Sequence, residues 1–198
     1  MIIYMSNNRS DFLCVTNRKL CQGDLFYRIK ILAAKDYAGI ILREKDLSES
    51  EYFSLAKEVV SICSENNMKC ILHNFPDAAI KLDVKALHMP LNKLQEMSEE
   101  NRKKFEILGA SCHSIEDAIL AQKLGCTYIT AGHIFETDCK KGLAGRGLKF
   151  LSEVCESVTI PVYAIGGISR ENIQLVKAAG AKGGCIMSSA MNGGENEL

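Results

Sequence analysis

Eight short apolar runs alternate with longer amphipathic stretches along the chain, and this alternation restricts the fold more than any other feature. The runs are Phe12–Thr16, Gly39–Leu42, Lys69–Leu72, Ala86–Met89, Glu106–Ala110, Tyr128–Ala131, Pro161–Ile165 and Gly184–Met187. Short segments rich in Ile, Leu and Val suit strands. Strands that read as near-continuous apolar runs are buried on both faces, which requires a parallel sheet covered by helices. Eight strand–helix units in 198 residues predict an α/β chain closed into a (β/α)8 TIM barrel, one domain spanning 1–198.

The intervening helices are clearest at Ser50–Asn66, Ser114–Leu124, Gly147–Glu156 and Ser169–Ala179, where apolar positions recur at steps of three and four. Ser50, Ser114 and Ser169 stand where N-caps belong, and Gly125 and Gly180 where left-handed C-caps belong. Barrels of this kind usually take about 250 residues, so this one is lean. After Met191 only 192–198 remains, which predicts a shortened C-terminal helix. Cover over the first and eighth strands is then expected from the N-terminal segment or from the partner in a homodimer.

Composition removes several functions. Lys plus Arg and Asp plus Glu balance at 24 each, so net charge draws the chain to neither nucleic acid nor an anionic membrane. No apolar run approaches a membrane span, and 1–11 lacks the basic-then-apolar order of a secretory signal, so a cytoplasmic protein is expected. The nine cysteines are scattered, odd in number and without a C-x-x-C pair, which fits neither a zinc site nor a disulfide framework. Cys14, Cys126 and Cys185 read as small buried hydrophobes in a reducing compartment.

In such barrels the chemistry lies just after each strand. After the second comes Arg43-Glu44-Lys45-Asp46. Arg43 and Lys45 are placed to reach an anionic substrate, with Glu44 steadying one of them; the alternative is an exposed strand-to-helix turn. After the sixth, 132–147 combines glycines with His133, Thr137, Lys140, Lys141 and Arg146, a pattern for an anionic ligand or for a solvated lysine-rich loop. Gly166-Gly167 after the seventh and Ser188-Ser189 after the eighth stand where such barrels hold phosphate. His73, His88, His113 and His133 all end or follow strands, and spacing alone does not choose a proton carrier among them. No pair lies at metal-motif spacing.

With these residues in view, the chain resembles the thiamine phosphate synthase superfamily over essentially its whole length. The marks are Leu42-Arg43-Glu44-Lys45, Gly109-Ala110-Ser111-Cys112-His113-Ser114, the 132–147 loop, and Ile160 through Ile168. The resemblance implies one of two branches. The synthase joins hydroxymethylpyrimidine pyrophosphate to thiazole phosphate and uses Mg2+, held by acidic residues whose places are taken here by Phe75 and Lys93. Its pyrimidine-reading glutamine is matched by Ile41, and a phosphate-loop threonine by Cys139.

The 132–147 loop resembles the other branch more, the TenI-like thiazole tautomerases. That branch implies an isomerase of thiamine biosynthesis, turning a carboxylated dihydrothiazole phosphate into the aromatic thiazole carboxylate phosphate. By that resemblance His133 is the general acid/base. Gly166, Gly167, Ser188 and Ser189 hold the phosphate, Arg43, Thr137 and Lys140 face the carboxylate, and Lys45, Asn74 and His113 add substrate contacts. No cofactor is implied for the tautomerase. The alternatives are a synthase with metal ligands moved to Asp77 or Asp138, and a regulatory barrel that binds thiazole phosphate without turnover.

Overall fold

The computed structural model describes residues 11–137 and 142–193. Eight parallel strands close into a barrel in which each pairs with the next and the eighth pairs with the first. They are β1 (Phe12–Val15), β2 (Gly39–Leu42), β3 (Cys70–His73), β4 (Ala86–Pro90), β5 (Ile107–Cys112), β6 (Tyr128–Gly132), β7 (Val162–Ile165) and β8 (Gly183–Ile186). The helices are α1 (Leu25–Ala33), α2 (Glu49–Glu65), α3 (Pro76–Lys81), α4 (Leu91–Glu96), α5 (Glu99–Arg102), α6 (Ile115–Lys123), α7 (Gly147–Ser157), α8 (Ile173–Ala178) and α9 (Ser188–Asn192).

Alternation along each strand divides the apolar side chains into two cores. Leu13, Val15, Ile41, Ile71, Tyr128, Tyr163 and Cys185 fill the barrel interior. Cys14, Ile40, Leu42, Leu72, Leu87, Ile129 and Ala164 face outward into the larger core under the helices. Each fully buried Leu or Ile contributes about 1.5–3 kcal/mol relative to exposure, so the outer core is what fixes the helices to the ring.

Two helix starts differ from the sequence reading. α2 is capped by Ser48, not Ser50: Ser48 and Glu51 form a reciprocal capping box, whereas the Ser50 carbonyl accepts from Ser54 Oγ. α8 begins after Asn172, not at Ser169; the Ser169 N–H donates to Asn172 Oδ1, and 170–172 forms a turn instead of helix. At α6 the expectation holds, since Ser114 accepts from the Asp117 N–H.

The final helix is short, five residues. Part of its cover comes from α1, where the buried Arg28 Nε donates to the Ala190 carbonyl at 2.6 Å. The N-terminal segment 1–10 lies outside the described residues. The thiols of Cys14, Cys126 and Cys185 are buried and free, and burial pushes those of Cys126 and Cys185 up to about 12. Among the described residues no helix is long and apolar enough to cross a membrane.

Candidate active site at the barrel mouth

The C-terminal ends of the strands surround a cavity of about 1430 Å³. Its floor is made by inward-facing side chains, Val15, His73, Ser111, Thr130, Ile165 and Cys185. Loops after the strands raise its wall, as expected of parallel barrels.

On the β2 side a network fixes the loop that carries the cations. Glu44 is 2% exposed and accepts from Thr16 Oγ1 at 2.7 Å and from the Arg18 backbone N–H at 3.0 Å. Thr16 Oγ1 in turn accepts from the Arg43 N–H at 2.9 Å. Glu44 therefore steadies Thr16 and Arg18, and through Thr16 it anchors the Arg43 backbone. Asp46 pairs with Arg18 and Lys19, and hydrogen bonding from those cations holds its carboxyl far below the usual range. From α2 the buried Tyr52 hydroxyl donates to the Leu42 carbonyl at 2.7 Å and accepts from the His73 N–H at 2.8 Å. The ends of β2 and β3 are thus held by one phenol, and Arg43 emerges from a fixed point into the cavity wall.

The floor carries a buried polar chain. His88 meets Tyr128 Oη at Nδ1 and Ser111 Oγ at Nε2, both at 2.9 Å, and its ring stacks on His73 with centroids 5.9 Å apart. Burial lowers His88 to about 3. His73 falls to about 2, first through burial, then through His88 and the positive charges of Arg43, Lys45 and Lys93. Both rings are neutral at physiological pH, so one His88 nitrogen donates and the other accepts. Gly109 makes room for this chain, since a Cβ there would stand 2.2 Å from the Tyr128 ring.

Across the mouth, β6 and β7 deliver His133 and the glycine turn as one unit. Ile134 and Phe135 donate their N–H groups to the Ile165 and Gly166 carbonyls. Gly166 has φ +98°, and a Cβ on it would lie 2.4 Å from His133 Cβ. Gly167 has φ +65° and faces the Glu136 carbonyl. Both glycines are required by this approach as well as by left-handed φ. His133 lines the cavity, 8% exposed, with Nε2 donating to the Leu143 carbonyl at 3.3 Å. His113 donates from Nδ1 to the Gly132 carbonyl at 3.0 Å, leaving Nε2 unprotonated unless the ring is charged.

The wall collects most residues singled out by sequence: Arg43, Lys45, His113, His133, Thr137, Gly166, Gly167, Ser188 and Ser189. Lys140 lies outside the described residues, as do Asp138, Cys139 and Lys141. Asn74 is not part of the wall; its backbone is left-handed at φ 71°, its N–H donates to the His88 carbonyl, and its Oδ1 is buried without a partner among the described residues. Arg146 sits over the Phe150 ring, centroid distance 4.9 Å, outside the wall. Sequence reading missed Ser111 and Thr130 as floor residues, although polar side chains at inward positions of apolar strands are a usable signal.

A family profile described as thiamine monophosphate synthase matches residues 12–190. A thiamine-phosphate synthase of Clostridium tetani is 32% identical over 186 residues, covering 89% of this chain and 86% of that protein. One from Fusobacterium nucleatum is 33% identical over 184 residues, covering 90% and 87%. Among solved structures, a thiamine phosphate pyrophosphorylase from Pyrococcus furiosus matches with a TM-score of 0.78 at 26% identity, covering 94% of this chain and 89% of that one. These findings overturn the tautomerase expectation. Relatives alike over most of their length bear the name of a transferase, so the isomerase activity, and with it the general acid/base role for His133, is withdrawn. The sequence reading gave too much weight to a few positions of one loop against similarity spread over the whole barrel.

Proposed function

The chain belongs to the thiamine monophosphate synthase family, and from that membership we propose that it is a cytoplasmic transferase joining hydroxymethylpyrimidine pyrophosphate to thiazole phosphate. The thiazole ring nitrogen supplies the electron pair for a new C–N bond to the pyrimidine methylene carbon. The C–O bond to diphosphate breaks, and its electrons leave on the diphosphate oxygen. No proton need be removed for this exchange, so the protein's task is to align two anions and to stabilise the leaving charge.

One observation carries the reading: two segments suited to anions open into a single large cavity. Gly166-Gly167 and Ser188-Ser189 line one part of its wall, and Arg43 and Lys45 another. Pockets for one small ligand run about 300–1,000 Å³, so a cavity of about 1430 Å³ has room for two reactants. The backbone N–H groups and hydroxyls after β7 and β8 hold the thiazole phosphate, and Arg43 and Lys45 receive the departing diphosphate. Thr137 and His113 contact the ligands from the rim. His133, fixed by its fit against Gly166, forms the wall against which the thiazole ring packs. Phe75 and Lys93 do not fit the magnesium that the synthase branch uses, since neither side chain ligates a hard cation.

The test is to incubate the purified chain with both substrates. Thiamine phosphate and diphosphate are expected in equal amounts, and Arg43→Ala is expected to lower kcat/KM by about 10- to 100-fold, the worth of one charge-assisted contact. Saturable thiazole phosphate binding without product would replace the transferase with a regulatory barrel.

A further inference from the structure

The cavity floor holds a histidine ring whose hydrogen-bonding capacity the fold does not use. His73 ends β3, lines the cavity and is 4% exposed. Its backbone is fixed on one side by the Tyr52 hydroxyl, which accepts from its N–H, and on the other by parallel pairing with His88. Its ring lies against the His88 ring at an interplanar angle of 18°. His88 has both nitrogens engaged, by Tyr128 and by Ser111, so the surface on which His73 rests is itself clamped. His73 differs from its neighbour: among the described residues no hydrogen bond engages either of its ring nitrogens. Burial keeps the ring neutral, and a neutral imidazole carries one donor and one acceptor. A polar ring in so buried a place is costly to leave unmatched, so a ligand group that meets it gains in specificity as well as affinity.

We propose that His73 is a specificity-determining residue that reads the pyrimidine of the diphosphate substrate, its unprotonated nitrogen accepting from the amino group on that ring. The register places it for this. Leu42 of β2 pairs with Leu72 of β3, and both point to the outer core, so the residues that follow them, Arg43 and His73, come off neighbouring strands together and both line the cavity. Neighbouring strands lie about 4.8 Å apart. The pyrimidine is joined to its diphosphate through a single methylene, so a ligand whose diphosphate meets Arg43 has its ring within reach of the imidazole beside it. The ring is pre-set for this contact, because Tyr52 holds its backbone and the clamped His88 supports its face. The inference rests on the transferase reading for the identity of the ligand, but its test does not depend on turnover.

Hydroxymethylpyrimidine pyrophosphate, and the analogue in which hydrogen replaces the amino group, are titrated into the full chain by calorimetry without thiazole phosphate. The parent is expected to favour the amino compound about tenfold, or about 1.4 kcal/mol. His73→Phe keeps a ring against His88 and is expected to reduce that preference to about twofold or less, with the affinity for inorganic pyrophosphate unchanged. His73→Gln, which restores a polar end at similar reach, is expected to retain part of the preference, which separates lost recognition from lost folding. A parent without preference, a preference that survives in His73→Phe, or an equal loss of pyrophosphate binding in that variant overturns the proposal. Thiamine phosphate formed by a parent that does not distinguish the two rings would sink this inference and leave the transferase standing. A preference that depends on His73, with no product formed when thiazole phosphate is added, would do the reverse.

Discussion

Tyr52 joins two strand ends through one oxygen, and its loss should be felt at both. Tyr52→Phe keeps the ring and its packing on Phe75, but leaves the His73 N–H and the Leu42 carbonyl without their partner. A buried donor left unmade costs about 1–3 kcal/mol. Urea denaturation should show a loss of that size, and an unchanged midpoint would mean that water or a backbone group already serves those atoms. Arg43 follows Leu42 directly, so the same change should weaken anion binding at the mouth. Sequence reading could not find Tyr52, because it lies in a helix and reaches the site only through tertiary placement.

The loops after β6 and β7 act as one piece, and Gly166 is where they touch. Gly166→Ala places a side chain at φ +98° and drives its Cβ into His133. Strain of this kind costs about 1–3 kcal/mol, and relief requires the two loops to separate. The expected result is a lowered melting temperature together with a loss of thiazole phosphate affinity. A variant destabilised but binding normally would show that the loop pairing does not shape the site. Such a turn is legible only in part from sequence: the glycine pair marks a ligand loop or a turn, and its fit against His133 requires the fold. The strands were legible to within about one or two residues because each is a continuous apolar run buried on both faces. Helix starts were harder, since Ser48 and Ser50 are both plausible caps and only the Glu51 carboxylate, closing a reciprocal pair, selects the former. Asn74 stands outside the wall with a left-handed backbone and a buried side-chain oxygen, neither of which is visible in composition.

Over the whole molecule, the neutral histidines of the barrel floor set the response to acid. His73 and His88 stay unprotonated in the fold to about pH 2 and 3, while the unfolded chain titrates near 6.5. Below that value the unfolded chain binds protons that the fold excludes. Their contribution is therefore complete above pH 6.5 and declines as pH falls toward the folded values, on the order of 1 kcal/mol per pH unit for each ring. Urea midpoints at about pH 7 and pH 5 should differ, with the lower pH less stable. Equal midpoints would mean that the rings carry charge in the fold.

The closed ring has a consequence for how copies of this chain can meet. With β1 joined to β8, the ring closes on itself, and among the described residues no strand keeps an open edge for a foreign strand. Self-association through the barrel then falls to side chains on the helices and loops that surround it. Such contacts answer to point mutation and salt, and the closed ring itself gives no template for the runaway strand stacking that exposed sheet margins invite.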